Sequence, residues 1–294
     1  MGGKAIHTKK NDREIWICPS GSYGDILRLS GVLKQSVEQD PEQKYCLVRR
    51  AMYSDLLNGH PAFKKVGHPP QHATVVTTEY WLKEKPGAGI KRPYQILARQ
   101  FGLQTPAEEI LYLPGSLDED RLLQDFIPAE GRKIIMIAPS SANPRKMAKP
   151  SLWQAVVEGL KHRGIMVVQV GQKDDIHIKG AYSLLGLTTP RQLVSLLAKS
   201  DVVISVDNFV MHAAHLIGKP AIIIWGPTRS KVHGYTDQIS IQCPTRHCEF
   251  RDQCPGTESE QDKGAPCPLK GNHCMNMCSP ERIIKKAVDI CFSS

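Results

Sequence analysis

The sequence lacks any long apolar run. Its longest apolar stretches, such as residues 221–225, fall far short of the roughly 20 residues that cross a bilayer, so no membrane-spanning helix is expected. The N-terminal stretch MGGKAIHTKKNDRE is polar and has no hydrophobic segment of the secretory kind. A reducing, cytoplasmic setting is therefore the expectation. No internal repeat at solenoid spacing occurs. There is no G-x-G-x-x-G, so a nicotinamide fingerprint has no support. No pair of cysteines has the C-x2-C spacing of a zinc ribbon. A basic helix and an aromatic–basic pattern are both missing, which argues against a nucleic-acid partner. Acidic residues are in deficit, 29 against 38 Lys and Arg, for a formal charge of +9.

What is there is globular. The chain has 294 residues, enough for about two domains of roughly 150 residues, and its 41% hydrophobic and 23% charged content excludes wholesale disorder. The positive balance points to an anionic partner such as a phosphorylated small molecule or a membrane surface. The nine cysteines are unevenly placed: Cys243, Cys248, Cys254, Cys267, Cys274 and Cys278 crowd one stretch near the end. In a reducing compartment such a cluster reads as metal ligands or free thiols, and as disulfides if the protein is exported.

Along the chain, short apolar strands alternate with amphipathic helices. Residues 14–18 form a strand candidate, followed by a glycine loop and a helix from residue 26 onward. Further strands are expected at 45–48 and 74–77, a short helix at 52–57, an exposed Lys/Gly/Pro loop at 83–93 and a helix at 94–101. Residues 105–132 are acidic and proline-containing, and the interdomain boundary is placed there. Strands are then expected at 133–138, 165–170, 184–186, 202–206 and 221–225, with helices at 151–162, 191–199, 208–217 and 282–290. This alternation predicts an α/β fold with parallel sheets covered on both faces. The expected domains are 1–125, 126–278 and a last helix within 279–294.

Four motifs stand at predicted strand ends, where α/β sheets bind ligands. In Gly21-Ser-Tyr-Gly24-Asp25, the carboxylate either caps the helix or faces a cleft as a base. After the strand 202–206 come Asp207, Asn208 and Phe209, with His212 one turn into the helix. The loop after 133–138 carries Ser140, Ser141, Arg145, Lys146 and Lys149, hydroxyls and cations suited to a diphosphate. The strand 221–225 opens into Gly226-Pro227-Thr228.

Taken together, the run from Gly186-Leu-Thr-Thr-Pro through Asp207, His212-Ala-Ala and Gly218-Lys-Pro220 to Trp225-Gly-Pro-Thr228 resembles glycosyltransferase family 9, which includes the bacterial ADP-heptose:lipopolysaccharide heptosyltransferases. Gly24-Asp25-Ile26 and Asn58-Gly-His60-Pro61 match that family's N-terminal motifs. The resemblance implies a GT-B architecture, with two Rossmann-like domains whose parallel sheets face a central cleft. The acceptor side would be N-terminal, the nucleotide-sugar side C-terminal, and the last helix would return toward the N-terminal domain. It implies inverting transfer of a heptose from ADP-heptose to a hydroxyl of a lipopolysaccharide core or of a protein, with no organic cofactor. Asp25 matches the general base, Asp207 and His212 match donor-site positions, and Thr189 begins the nucleotide-adjacent helix. Peripheral contact with the inner face of the inner membrane and an oligomeric state fit the same picture.

The chain departs from the family pattern in three places. Asn208-Phe209 stands where the family usually has Thr-Gly, so Phe209 stacks on the donor, narrows the pocket or marks a different donor. With Pro150 aligned, the family's lysine falls near Met147, leaving Lys146 or Lys149 to substitute. The N-terminal half is short, which reduces the acceptor site. The alternative function is a non-catalytic nucleotide-sugar-binding or metal-stapled scaffold with a degenerate donor site. Cys254, Cys267, Cys274 and Cys278 are the expected ligands of a structural zinc or iron, with Cys243 and Cys248 as competitors. The resemblance implies iron, since some protein-directed members carry a cysteine-bound iron.

Overall fold

The structure, a computed structural model, describes residues 14–49, 51, 53–79, 92–103, 109–115, 131–244, 248, 267, 269 and 274–293. Residues 83–91 of the loop expected at 83–93, the stretch 116–130 and Cys254 lie outside the described residues. The chain divides into two compact units, Met1–Ser116 and Leu117–Ser294.

The first unit holds β1 (Ile15–Cys18), α1 (Tyr23–Gln39), β2 (Tyr45–Val48), β3 (Phe63–Gly67), β4 (Thr74–Thr77) and α2 (Pro93–Gln100). Its four parallel strands lie in the order β3-β2-β1-β4. α1 forms because Ile26, Leu27, Leu29, Val32, Leu33 and Val37 recur at helical spacing and are all buried. The short helix expected at 52–57 is a 3-10 turn, Ser54–Leu57. His60 pins the segment after it to α1: Nε2 donates to Ser30 O at 2.9 Å, and Nδ1 accepts from Ala62 N at 3.0 Å. A buried ion pair, Arg28 Nε–Glu109 Oε1 at 2.5 Å, ties residue 109 to the same helix.

The second unit holds β5 (Ile134–Ala138), α3 (Pro150–Lys161), β6 (Met166–Gln169), β7 (Tyr182–Ser183), α4 (Pro190–Ala198), β8 (Val202–Val206), α5 (Phe209–Leu216), β9 (Ala221–Trp225), α6 (Ser230–His233), β10 (Ile239–Gln242) and α7 (Pro280–Phe292). Its six strands are parallel, in the order β10-β9-β8-β5-β6-β7. Every residue of β5, β8 and β9 is buried, as expected for central strands covered on both faces. From β5 the chain winds outward through β6 to β7, then crosses back to β8 and winds outward through β9 to β10. Strand order therefore reverses between β5 and β8, the switch point at whose carboxyl ends open α/β sheets bind ligands.

The short strand expected at 184–186 is found two residues earlier, as β7, and β3 and β10 add to the strands expected from the sequence. α7 begins at Ser279, whose Oγ accepts from Arg282 N at 3.2 Å. Ile283, Ile284, Ala287 and Cys291 follow one another on one face and are buried in the core of the second unit. Gly159 of α3 admits this helix closely: a Cβ there would lie 2.4 Å from Ile284 Cδ1. The apolar face of this last helix is thus buried within the second unit.

Candidate functional site

At the second unit's switch point, two segments meet. From β5 run Ser140, Ser141 and Asn143 into the 3-10 turn Pro144–Lys146. The turn is set by Asn143, whose side chain accepts from Arg145 N at 3.0 Å. From β8 run Asp207 and Asn208 into α5, with Asn208 as N-cap. Ser141 Oγ donates to Asp207 O at 3.3 Å. Lys146 Nζ lies 2.8 Å from Asp207 Oδ2, in a pair whose side chains are 22% and 8% exposed.

Burial by itself pushes the Asp207 carboxyl up. Lys146, His233 and His212 together outweigh it and hold the group well below the usual carboxylate range. Asp207 is thus a buried anion paired with Lys146, with two histidines nearby. Lys149, the other lysine proposed for this role, is exposed at the N-cap of α3, and its backbone N–H donates to Asn276 Oδ1 at 2.8 Å. Arg145 is buried.

The neighbouring strand tip adds a second group. His212 Nδ1 shares a 2.6 Å hydrogen bond with the Tyr235 hydroxyl, and both residues are buried. The His215 ring stacks on Tyr235 with centroids 3.8 Å apart, and its Nδ1 lies 2.8 Å from Asp237 Oδ2. Thr228, at the mouth of β9, is buried with no hydrogen-bond partner for Oγ1 among the described residues. An orphaned buried hydroxyl is costly unless something satisfies it. Asn143, Thr228, His233 and Tyr235 are not among the site residues expected from the sequence. Thr228 alone had a signal, the hydroxyl after the buried strand and turn.

The remaining expected residues fall as follows. Phe209 is half-buried at the first position of α5. Thr189 caps α4 in a reciprocal box: Oγ1 accepts from Gln192 N at 3.2 Å, and Gln192 Oε1 accepts from Thr189 N at 2.9 Å. Asp25 stands in the first unit, at the first turn of α1. Its Oδ2 accepts from Ser22 N at 2.8 Å and Ser22 Oγ at 3.1 Å. The carboxylate folds back so far that a Cβ on Gly21, whose φ is +101°, would lie 2.4 Å from Oδ2. Asp25 therefore caps its helix, in a fixed orientation.

The cysteine expectation needs correction. Cys278 is joined to Cys243 by a disulfide, so its thiolate is not available to a metal. Cys274 is buried and Cys267 half-buried. Among the described residues no group of three or more His, Cys, Asp or Glu side chains is placed to hold a metal ion. The described residues do not fit a four-thiolate zinc or iron site. The cysteine-bearing turn instead packs beside the candidate site: a Cβ on Gly226 would lie 2.3 Å from Met275 Sδ and 3.1 Å from Cys274 Sγ.

Comparison with known proteins gives a consistent picture. A family model described as glycosyltransferase family 9 (heptosyltransferase) matches residues 56–258, more than half of the chain. No curated protein sequence matches. Among solved structures, the chain is similar to the ADP-heptose lipopolysaccharide heptosyltransferase II of E. coli, at 14% identity over 95% of this chain and 99% of that one, with a TM-score of 0.69. It is also similar to the iron-containing dodecameric glycosyltransferase TibC of enterotoxigenic E. coli, at 14% identity over 98% and 80%, with a TM-score of 0.72. TibC in complex with ADP-D-β-D-heptose matches at 13% identity over 96% and 77%, with a TM-score of 0.72. At such identities the likeness shows the fold, an α/β chain of the GT-B class.

Proposed function

The chain belongs to glycosyltransferase family 9, and from that premise we propose that it transfers a heptose, with inversion, from ADP-heptose to a hydroxyl of a lipopolysaccharide core or of a protein. The observation that carries the donor half is the Lys146–Asp207 pair at the β5/β8 switch point, with the hydroxyls of Ser140, Ser141 and Thr228 on the neighbouring strand tips. TibC, of the same fold, is solved with ADP-D-β-D-heptose.

In the proposed step the acceptor oxygen attacks the anomeric carbon as the bond from that carbon to the diphosphate breaks. A sugar or protein hydroxyl is a poor nucleophile, so its proton passes to Asp25, whose carboxylate Ser22 holds in place. Help of this kind is worth roughly 10²–10⁴-fold. The reacting carbon is oxocarbenium-like, by analogy with glycoside hydrolysis. ADP departs with growing negative charge, which Lys146 and Arg145 offset. His212, oriented by Tyr235, is assigned to the donor sugar.

No helix among the described residues is long and apolar enough to cross a membrane. A lipopolysaccharide acceptor would bring the +9 chain to the inner face of the inner membrane as a peripheral visitor. TibC is described as dodecameric, and an oligomer is proposed here on the same footing.

The test is calorimetry with ADP and with ADP-, UDP- and GDP-sugars. ADP-heptose is expected to bind and to turn over. Binding of no nucleotide at all would replace this reading with that of a non-catalytic scaffold. Preference for UDP or GDP would overturn the donor.

A further inference from the structure

We infer that Asn208 is a positioning residue, which ties the loop after β5 to the tip of β8 and so sets where Lys146 stands. This rests on the donor-site reading above. A carboxamide offers two N–H hydrogens and one acceptor oxygen. Both hydrogens are engaged: Nδ2 donates to Ala138 O at 3.2 Å and to Ser140 O at 2.8 Å. The oxygen accepts from Ser205 Oγ at 2.8 Å, Val210 N at 2.8 Å and Met211 N at 3.4 Å. The partners fix which end is which, since carbonyls only accept and amides only donate. With its capacity filled, the Asn208 side chain has nothing left for a bound donor, although it sits between Asp207 and Phe209.

Capping a helix does not need asparagine. Serine or aspartate at the N-cap satisfies the same amides about as well. Only a carboxamide also donates to two carbonyls of the neighbouring strand's exit. Those carbonyls begin the segment that continues through Ser141, bonded to Asp207 O, to Lys146, paired with the Asp207 carboxylate. The loop is therefore held at its root by Asn208 and further along by Asp207. Two neutral hydrogen bonds of typical net strength correspond to roughly a 10-fold effect on a site they pre-organise.

The experiment uses Asn208→Ser and Asn208→Asp in the full chain. Both retain a cap. The first removes the tether, and the second sets carboxylate oxygen against the carbonyls of Ala138 and Ser140. Hydrogen exchange of the free protein is expected to quicken across residues 139–149 and to stay unchanged in α5. ADP affinity is expected to fall roughly 10-fold in Asn208→Ser and further in Asn208→Asp, and the donor KM to rise while kcat at saturation holds. Unchanged exchange across 139–149 in a folded variant overturns the proposal. So does quickened exchange there with ADP affinity and donor KM unchanged. If the wild-type chain binds no nucleotide, the function above falls, and the exchange measurement still decides whether the tether exists.

Discussion

In the first unit the chain leaves β1 through Gly21 and folds the Asp25 carboxylate back onto its own helix start. In the second it leaves β5 through a polar loop and lays Lys146 against a carboxylate from another strand. The strand plans are alike: β3-β2-β1-β4 in one, and β7-β6-β5-β8 continued by β9 and β10 in the other. Even the bridging of the switch point is repeated. Ser20 N donates to Thr78 Oγ1 at 3.0 Å, joining the exits of β1 and β4, where Asn208 joins those of β5 and β8. The difference is in setting. One unit holds its carboxylate against the start of its own helix, and the other buries a carboxylate against a lysine from another strand's exit. On our proposal the same scaffold serves proton acceptance in one place and anion binding in the other.

The sharpest way to break this division is Asp25→Ala. A residue confined to proton acceptance should leave ADP affinity unchanged while kcat falls roughly 10²–10⁴-fold. Stability should fall by only about 1 kcal/mol, the usual size of a lost helix-cap contact. Rapid kinetics with calorimetry on the same preparation checks both. A variant that loses ADP binding would assign Asp25 to the donor, and normal turnover would remove it from the chemistry.

Lys146→Ala probes the other unit. It leaves the Asp207 carboxylate 8% exposed with its nearest cation gone, and burial then drives its pKa upward. The loss of stability should approach about 3 kcal/mol, the lower end for a broken buried pair, because Lys146 itself keeps some solvent contact. Adding Asp207→Asn should restore most of it, since a neutral amide needs no counter-charge. Chemical denaturation of the two single variants and the double variant measures the coupling. A coupling near zero would reduce the pair to a surface contact.

How far the sequence reaches follows from what each feature depends on. β5, β8 and β9 are unbroken apolar runs because both faces are buried, and they were readable at once. β3 has three of its five residues exposed, two of them lysines, and β10 is buried at one position of four, so neither edge strand carries an apolar signal. Asp207 and the loop lysines could be read as a site because charge next to a buried strand is unusual. Which lysine reaches Asp207 could not, since that depends on the turn set by Asn143. Asn208 showed itself as a cap, but its bonds to Ala138 and Ser140 cross 70 and 68 residues of sequence. The Cys243–Cys278 link spans 35 residues, and the connectivity of six crowded cysteines is not fixed by spacing.

The smallest expected effect separates the two units by pH. His60 of the first unit is buried, and burial lowers its pKa from 6.5 to about 4. The ring is neutral with the proton on Nε2, because Nδ1 accepts from Ala62 N. Protonating Nδ1 would break that bond and bury a charge. The unfolded chain binds a proton near pH 6.5, while the folded chain resists until about pH 4. Stability from His60 is therefore complete above about pH 6.5 and drains away as pH falls toward 4. The slope amounts to about 2 kcal/mol between pH 7 and pH 5. Asp207 works in a lower window: its folded pKa is depressed, so its contribution persists above about pH 4, the unfolded carboxylate value, and fails only below it. Unfolding free energies measured from pH 7 to pH 5 should fall in the wild-type chain. They should run about 2 kcal/mol flatter in His60→Asn, which is weaker throughout. Equal slopes in the two would mean that His60 is protonated as easily in the folded chain as in the unfolded one.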